Sequence, residues 1–459
     1  MSDVAPFLYW TALAVGVAMT WWYMARARIG WNNAASWALL TLAHGLIFKP
    51  LFVAFEYPSS ELIQLTLLQK ITVDEYWMGG LLSLIPYAVF VACMLMTGKY
   101  RRRASVPRVA ARVISFSEGA LCGILAIAVA GLFGFFMQFP QLLETANKNS
   151  IATLDLADYN SGGVWRSMID LAYVVSLCAM LNARRPAVRR RNLVLTAVAA
   201  LLWLSYCLLS DQRGLVIFSV VTYLLAYARF ISPVPRRVIA AIVVALVCAV
   251  IAKTALRLHA ESEDVQADAA LVAANFIGQN LIENGKTASI VKAVPGRLDF
   301  QFGKTYVDAV LVLIPRSLYP DKTTVNLDTV IGNKVFECDA FGACGVPPGF
   351  VAESYLNFGP IGVLVCAALY GLLIGKLDAR FRTSSKGSLF DLFFLYSFIY
   401  CGMAILGSGM SGVITQVITQ SAELAIIWAI AGRRTAARAE TARNRANVNP
   451  DTVATKTPA

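Results

Sequence analysis

Two histidines, His44 and His259, are all that 459 residues contain, and charged side chains make up only 15% of the chain. So few imidazoles leave a histidine-based metal centre short of donors. So little charge cannot solvate the surface of a water-soluble protein of this length. No pair or triplet of acidic residues in the polar connections has the look of a two-carboxylate metal motif. The first outer connection offers only scattered Glu61, Asp74 and Glu75, so neither a divalent ion nor a cofactor is expected. No internal repeat is visible, which weighs against a transporter built from two related halves. The first apolar run lacks a basic leader and a small-residue cleavage site, and it reads as a retained span rather than a signal peptide.

Apolar sequence is what is present: 58% of residues are hydrophobic and the mean hydropathy is +0.61. A bilayer must be the solvent for such a chain. Spanning its hydrocarbon takes about 20 mostly apolar residues in a helix, and about eleven windows of that kind run from 7–24 to 413–431. The fold class expected is therefore an all-α polytopic membrane protein. Most of the 40 Lys and Arg residues fall after the first, third, fifth, seventh and ninth windows and in the tail from Arg433. Basic connections stay in the cytoplasm, which puts the N-terminus outside and the C-terminus inside. The net charge of +12 is then a topology signal, and no nucleic-acid partner is expected. Four regions follow: spans one to eight in 1–253, an external segment in 254–357, spans nine to eleven in 358–432, and a basic, disordered tail in 433–459.

Ionisable groups at membrane depth are costly and mark function by default. Most sit at the outer ends of the windows. The turn SDQRG carries Asp211 and Arg213, and Arg213 there is either a ligand or a snorkelling anchor paired with Asp211. The end of the eighth window, AKTALRLHAESED, carries Lys253, Arg257 and His259. Its cations serve a ligand or complement the helix dipole, and His259 is either a general base or an interfacial histidine. The external segment holds an amphipathic stretch over 269–282 and an apolar one over 307–314. Each is too short to span, so both predict interfacial helices roofing the bundle. The second leads into IPRSLYPDK, where Pro315 and Pro320 stiffen a turn bearing Arg316 and Lys322. Next comes PPGFVAESYLNFGPIG, with Glu353, Tyr355 and Asn357 just ahead of the ninth window. A carboxylate at that depth needs a partner, and an arginine is the first one expected; the alternative role is a salt bridge that only fixes the roof. Cys338 and Cys344, in ECDAFGAC, have a spacing compatible with a disulfide-closed loop outside the cell membrane or with two free thiols.

From Phe302 to Gly362 these residues resemble the Wzy-type oligosaccharide repeat-unit (O-antigen) polymerases of bacterial inner membranes. FGKTY, IPRSLYPDK and PPGFVAESYLNFGPIG are similar to that family's apolar stretch, Pro-Arg turn, basic residue and Glu before an Asn-Phe-Gly helix start. SDQRG resembles its Ser-x-Arg-Gly step. Thr323 stands where a Pro is common, and GSGMSG (residues 407–412) has no arginine, which removes one phosphate ligand; the cysteine pair is foreign to the pattern. The resemblance implies a GT-C-like, metal-independent, inverting glycosyltransferase facing the periplasm. It would move a growing glycan from undecaprenyl diphosphate to the sugar of a new lipid-linked repeat unit, beside a chain-length regulator. It assigns the diphosphate to Arg213, Arg257, Arg316 and Lys322, the sugar to Tyr355 and Asn357, and proton transfer to Glu353 or, second, His259. An O-antigen ligase with the same donor is the nearest rival. A polysaccharide transporter or lipid-linked oligosaccharide flippase, which needs ionisable groups near mid-membrane, is the other; Arg166 and Asp170 in the fifth window are such groups, and four residues apart they can neutralise each other.

Overall fold

The computed structural model describes residues 4–27, 72–97, 113–138, 163–209, 213–235, 237–242, 283–314, 318–319, 327–336, 346–384 and 386–435, with isolated positions between 244 and 252. The described chain is helical apart from one short two-stranded ladder. In order it runs α1 (Val4–Ala27), α2 (Val73–Thr97), β1 (Val113–Phe116), α3 (Glu118–Gln138), α4 (Gly163–Asn182), α5 (Arg189–Leu209) and α6 (Arg213–Phe230). There follow α7 (Glu283–Ala293), α8 (Lys304–Leu311), α9 (Leu327–Phe336), α10 (Gly349–Thr383), α11 (Leu389–Phe393), a π turn over Phe394–Phe398, α12 (Ile399–Ala431) and β2 (Gly432–Thr435). Among the described residues, five segments are long and apolar enough to cross a bilayer: Asp74–Met94, Glu118–Gln138, Pro186–Leu209, Gly349–Arg382 and Gly409–Ala431.

Close helix packing rests on small residues, since lipid offers no hydrophobic drive between helices. Gly371 and Gly375 of α10, four apart, lie on the backbone of α2 at Phe90 and Met94. Gly79 of α2 lies on Asn284 and Ala288 of α7, and Gly80 on Tyr9 of α1. The start of α2 is a capping box: Thr72 N–H donates to Glu75 Oε2 at 2.8 Å, and Glu75 N–H donates to Thr72 Oγ1 at 3.3 Å. Glu75 also pairs with Lys292 of α7 at 2.8 Å, so one acid among the scattered outer ones has a structural task.

The connections grouped by their basic residues meet at one end. β1, after α2, pairs antiparallel with β2, with Ile114 opposite Arg434. Asn182, at the end of α4, accepts from Phe116 N–H at 3.0 Å and donates back to Phe116 O at 2.9 Å. Arg184 donates to Ile114 O at 2.9 Å. Arg229, at the end of α6, donates to Phe381 O, to Ser384 and to Asp391 Oδ1 at 2.9–3.1 Å. Since α6 ends here, its first residue, Arg213, lies at the opposite end.

Two expected boundaries coincide with helix breaks. α10 starts at Gly349 and takes Glu353, Tyr355 and Asn357 into its first turns, and it breaks at Gly359, beside the expected start of the ninth span. Windows ten and eleven join into α11, the π turn and α12, with a break at Gly409. In the external segment the apolar stretch over 307–314 is mostly the eight-residue α8, whereas the amphipathic stretch over 269–282 lies outside the described residues. α7 and α9 complete that end, and Ile290, Val294, Leu298, Ile331, Ala352 and Leu356 form a small separate core beneath them.

Candidate functional site

α10 and α12 each contain a break, and the break of α12 lies against Gly349 and Glu353 in the first turns of α10. In α10, Gly359 takes φ 65° and ψ −162°, just ahead of Pro360. That backbone region is nearly closed to any residue but glycine. Pro360 has no N–H to give Leu356 O, and the bend takes Asn357 O out of the helical ladder. Both carbonyls find donors in the chain entering α8: Gln301 N–H to Leu356 O at 2.9 Å and Phe302 N–H to Asn357 O at 3.1 Å. Phe302 (φ 45°) and Gly303 (φ 87°) turn that chain through left-handed conformations, which aims Gly303 N–H at Asn357 Oδ1, 2.9 Å away.

In α12, Gly409 takes φ 80° and ψ −179°, so the second half of that helix starts afresh with unpaired amides. Glu353 caps it. Ser411 N–H donates to Glu353 Oε1 at 3.2 Å and to Oε2 at 3.0 Å. A helix N-terminus is a ready seat for an anion. Thr305 Oγ1 donates to Glu353 Oε1 at 2.9 Å. Asn357 Nδ2 donates to Thr305 Oγ1 at 2.7 Å and to Glu353 O at 2.9 Å. One carboxylate, 0% exposed, thus ties together α8, α10 and α12. Thr415 of α12 adds a second tie to α8, donating to Ala309 O at 3.0 Å.

An arginine is the first partner expected, and the side chains of Arg213, Arg257 and Arg316 are not among the described ones. Among the described residues, Glu353 is met by a helix end and by the Thr305 hydroxyl. GSGMSG, noted for lacking an arginine, supplies the positive end of a helix in its place. Asn357 differs from expectation: it is 0% exposed, and its amide is engaged at both ends by protein atoms, so it positions other groups and is not an open sugar ligand. Tyr355 is half-buried against Phe300, their ring centres 6.2 Å apart, beside the small core. Arg213 opens α6, and its side chain is not among the described ones. Arg257, His259, Arg316, Lys322, Cys338 and Cys344 lie outside the described residues, although α8 leads directly toward Arg316.

Three groups that sequence reasoning did not single out now stand near the site, and a fourth lies inside the bundle. Thr305 was visible only as part of FGKTY, and Ser411 only as part of GSGMSG. Asp328 of α9 is the third: burial, with the Glu353 carboxylate adding to it and Lys286 opposing, pushes its carboxyl up to about 6. Deeper in the bundle, Glu423 of α12 accepts from the Tyr396 hydroxyl and is buried. The eleventh window is therefore not purely apolar.

Gly409 offers a direct check. A Cβ there would sit 2.5 Å from Glu353 Oε2, and the φ/ψ itself costs an alanine about 1–3 kcal/mol. We expect Gly409→Ala to lower the midpoint of thermal unfolding in detergent and to abolish most activity. Full activity with unchanged unfolding would mean that the carboxylate is not held at this helix end.

A comparison with curated proteins finds no match, and neither does one with solved structures. A family model does match, over residues 46–402, described as O-antigen polysaccharide polymerase Wzy. The matched stretch takes in α2 to α11, with Glu353, Thr305 and the break of α10, and covers well over half of the chain; the protein belongs to the O-antigen polysaccharide polymerase Wzy family.

Proposed function

We propose that this protein is a membrane glycosyltransferase that polymerises undecaprenyl-diphosphate-linked oligosaccharide repeat units at the periplasmic face of the bacterial inner membrane. The observation that carries the reading is the Glu353 carboxylate, anchored at the junction of two broken helices within the segment matched by the family. In the reaction the hydroxyl oxygen of the incoming repeat unit bonds to the anomeric carbon of the growing glycan. The bond from that carbon to the diphosphate oxygen breaks, and its electron pair leaves with the diphosphate. Glu353 receives the hydroxyl proton, a task suited to a carboxylate held in fixed geometry. Arg213, Arg257, Arg316 and Lys322 take the developing negative charge, where prepositioned cations act more strongly than solvent. One displacement inverts the anomeric centre. His259 is the second proton acceptor, Tyr355 borders the sugar, and a polysaccharide chain-length regulator is the expected protein partner.

Cells lacking the protein test this reading through their surface glycan. Lipid capped with a single repeat unit, restored to long chains by the wild-type gene, is the expected outcome. Polymer that accumulates unattached to its final acceptor would make the protein a ligase, and repeat units trapped on the cytoplasmic face would make it a flippase.

A further inference from the structure

Glu353 is 0% exposed, so a sugar hydroxyl cannot reach its carboxylate in this arrangement. A proton must arrive through a neighbour, and the hydrogen-bond directions identify one. Gly303 N–H can only donate, so the Asn357 atom 2.9 Å from it is the oxygen, which fixes the amide orientation. The other end of that amide, Nδ2, has only protons to give, and one goes to Thr305 Oγ1 at 2.7 Å. Thr305 therefore accepts from Asn357, and its own proton points to Glu353 Oε1 at 2.9 Å. A hydroxyl oxygen has two lone pairs. Asn357 occupies one, and among the described residues no other group donates to the second, which is left to accept a proton from outside.

We propose that Thr305 is a catalytic proton relay between the acceptor sugar hydroxyl and Glu353, an inference that rests on the reading of Glu353 as proton acceptor. As the sugar oxygen bonds to the anomeric carbon, its proton passes to the free lone pair of Thr305 Oγ1. The original Thr305 proton passes to Glu353 Oε1. Thr305 ends the step neutral, Glu353 ends it protonated, and the diphosphate departs with the electron pair of the broken bond. Thr305 is on the inward face of α8 with Ala309 and is the less buried of the pair, 6% exposed against 0% for Glu353, with Lys304 and Val307 of the same helix exposed. Asn357 is the positioning residue, since it sets the direction in which the relay runs. Ser411 is the rival route, because its amide is bonded to Glu353 and it carries a hydroxyl, but no described amide orients that hydroxyl in the same way.

The test uses full-length protein reconstituted in lipid with a lipid-linked repeat unit as both donor and acceptor. Thr305→Val keeps the shape and removes the hydroxyl, while Thr305→Ser keeps the hydroxyl. We expect Thr305→Val to lower kcat about 100-fold, the low end for proton transfer by a positioned group, with KM little changed, and Thr305→Ser to recover most of the loss. Unfolding midpoints of both variants separate a relay from a packing defect. Wild-type kcat in Thr305→Val would overturn the relay, and so would a Ser variant as slow as the Val variant. A large loss in Ser411→Ala with none in Thr305→Val would move the route to Ser411. If Glu353→Gln is itself active, the proton-acceptor reading falls first. An inactive Glu353→Gln beside a fully active Thr305→Val overturns the relay alone.

Discussion

Replacing Glu353 with alanine should leave reconstituted protein slower in chain extension by about 10²–10⁴-fold, the range contributed by a positioned acid or base. Glu353→Gln should be nearly as slow although it keeps the volume, because an amide cannot accept the proton. The two variants should differ in stability. Alanine removes the acceptor for Ser411 N–H and Thr305 Oγ1, and each buried donor left unpaired costs about 1–3 kcal/mol. Glutamine retains one oxygen for them and should unfold closer to wild type. Rates from single-turnover assays, set beside unfolding midpoints in the same detergent, separate the two contributions. An active glutamine variant would reduce Glu353 to a structural tie between α8, α10 and α12.

The largest effect on stability is expected at the other end of the molecule. Asp391 is 0% exposed and accepts from Arg229 at 3.1 Å, Ser384 Oγ at 2.6 Å and Gly387 N–H at 2.8 Å. Arg229 is 14% exposed in its side chain and lies over the Phe381 ring at 4.6 Å. Removing one partner of a buried pair leaves the other charge uncompensated, at a cost of about 3–5 kcal/mol. Asp391→Ala should therefore destabilise the protein by that amount in denaturant unfolding and release the segment after α10 from the end of α6. The double variant Arg229→Leu with Asp391→Leu should be closer to wild type than either single change, since no lone charge is left behind. A single variant that loses less than 1 kcal/mol would mean that water reaches the pair and screens it.

Much of the bundle was legible in the linear pattern. Windows of apolar sequence match α1 to α6 within a few residues, and the basic connections meet at one end because β1, Asn182, Arg229 and β2 bond there. The π turn and the breaks at Gly359 and Gly409 were not legible. Hydropathy averages over some 20 residues and does not register a single φ angle. The site was half legible. Glu353 stood out because an acid beside an apolar window is rare, but its partners lie 48 and 58 positions away in Thr305 and Ser411. The expectation of an arginine partner followed from charge pairing alone. An interrupted helix presents amides with the same electrostatic sense, and those of α12 are what the described residues set against Glu353.

Composition and periodicity by themselves determined the solvent and the helical class, because bilayer thickness and backbone hydrogen bonding leave a chain this apolar few alternatives, and the motifs from Phe302 to Gly362 carried the family resemblance. Only the tertiary structure decided what Glu353 touches, which way the Thr305 proton points and why Asn357 is committed to holding them. Hydrogen bonds are directional and act over about 3 Å, so they depend on which residues the fold brings together, and no local spacing encodes that.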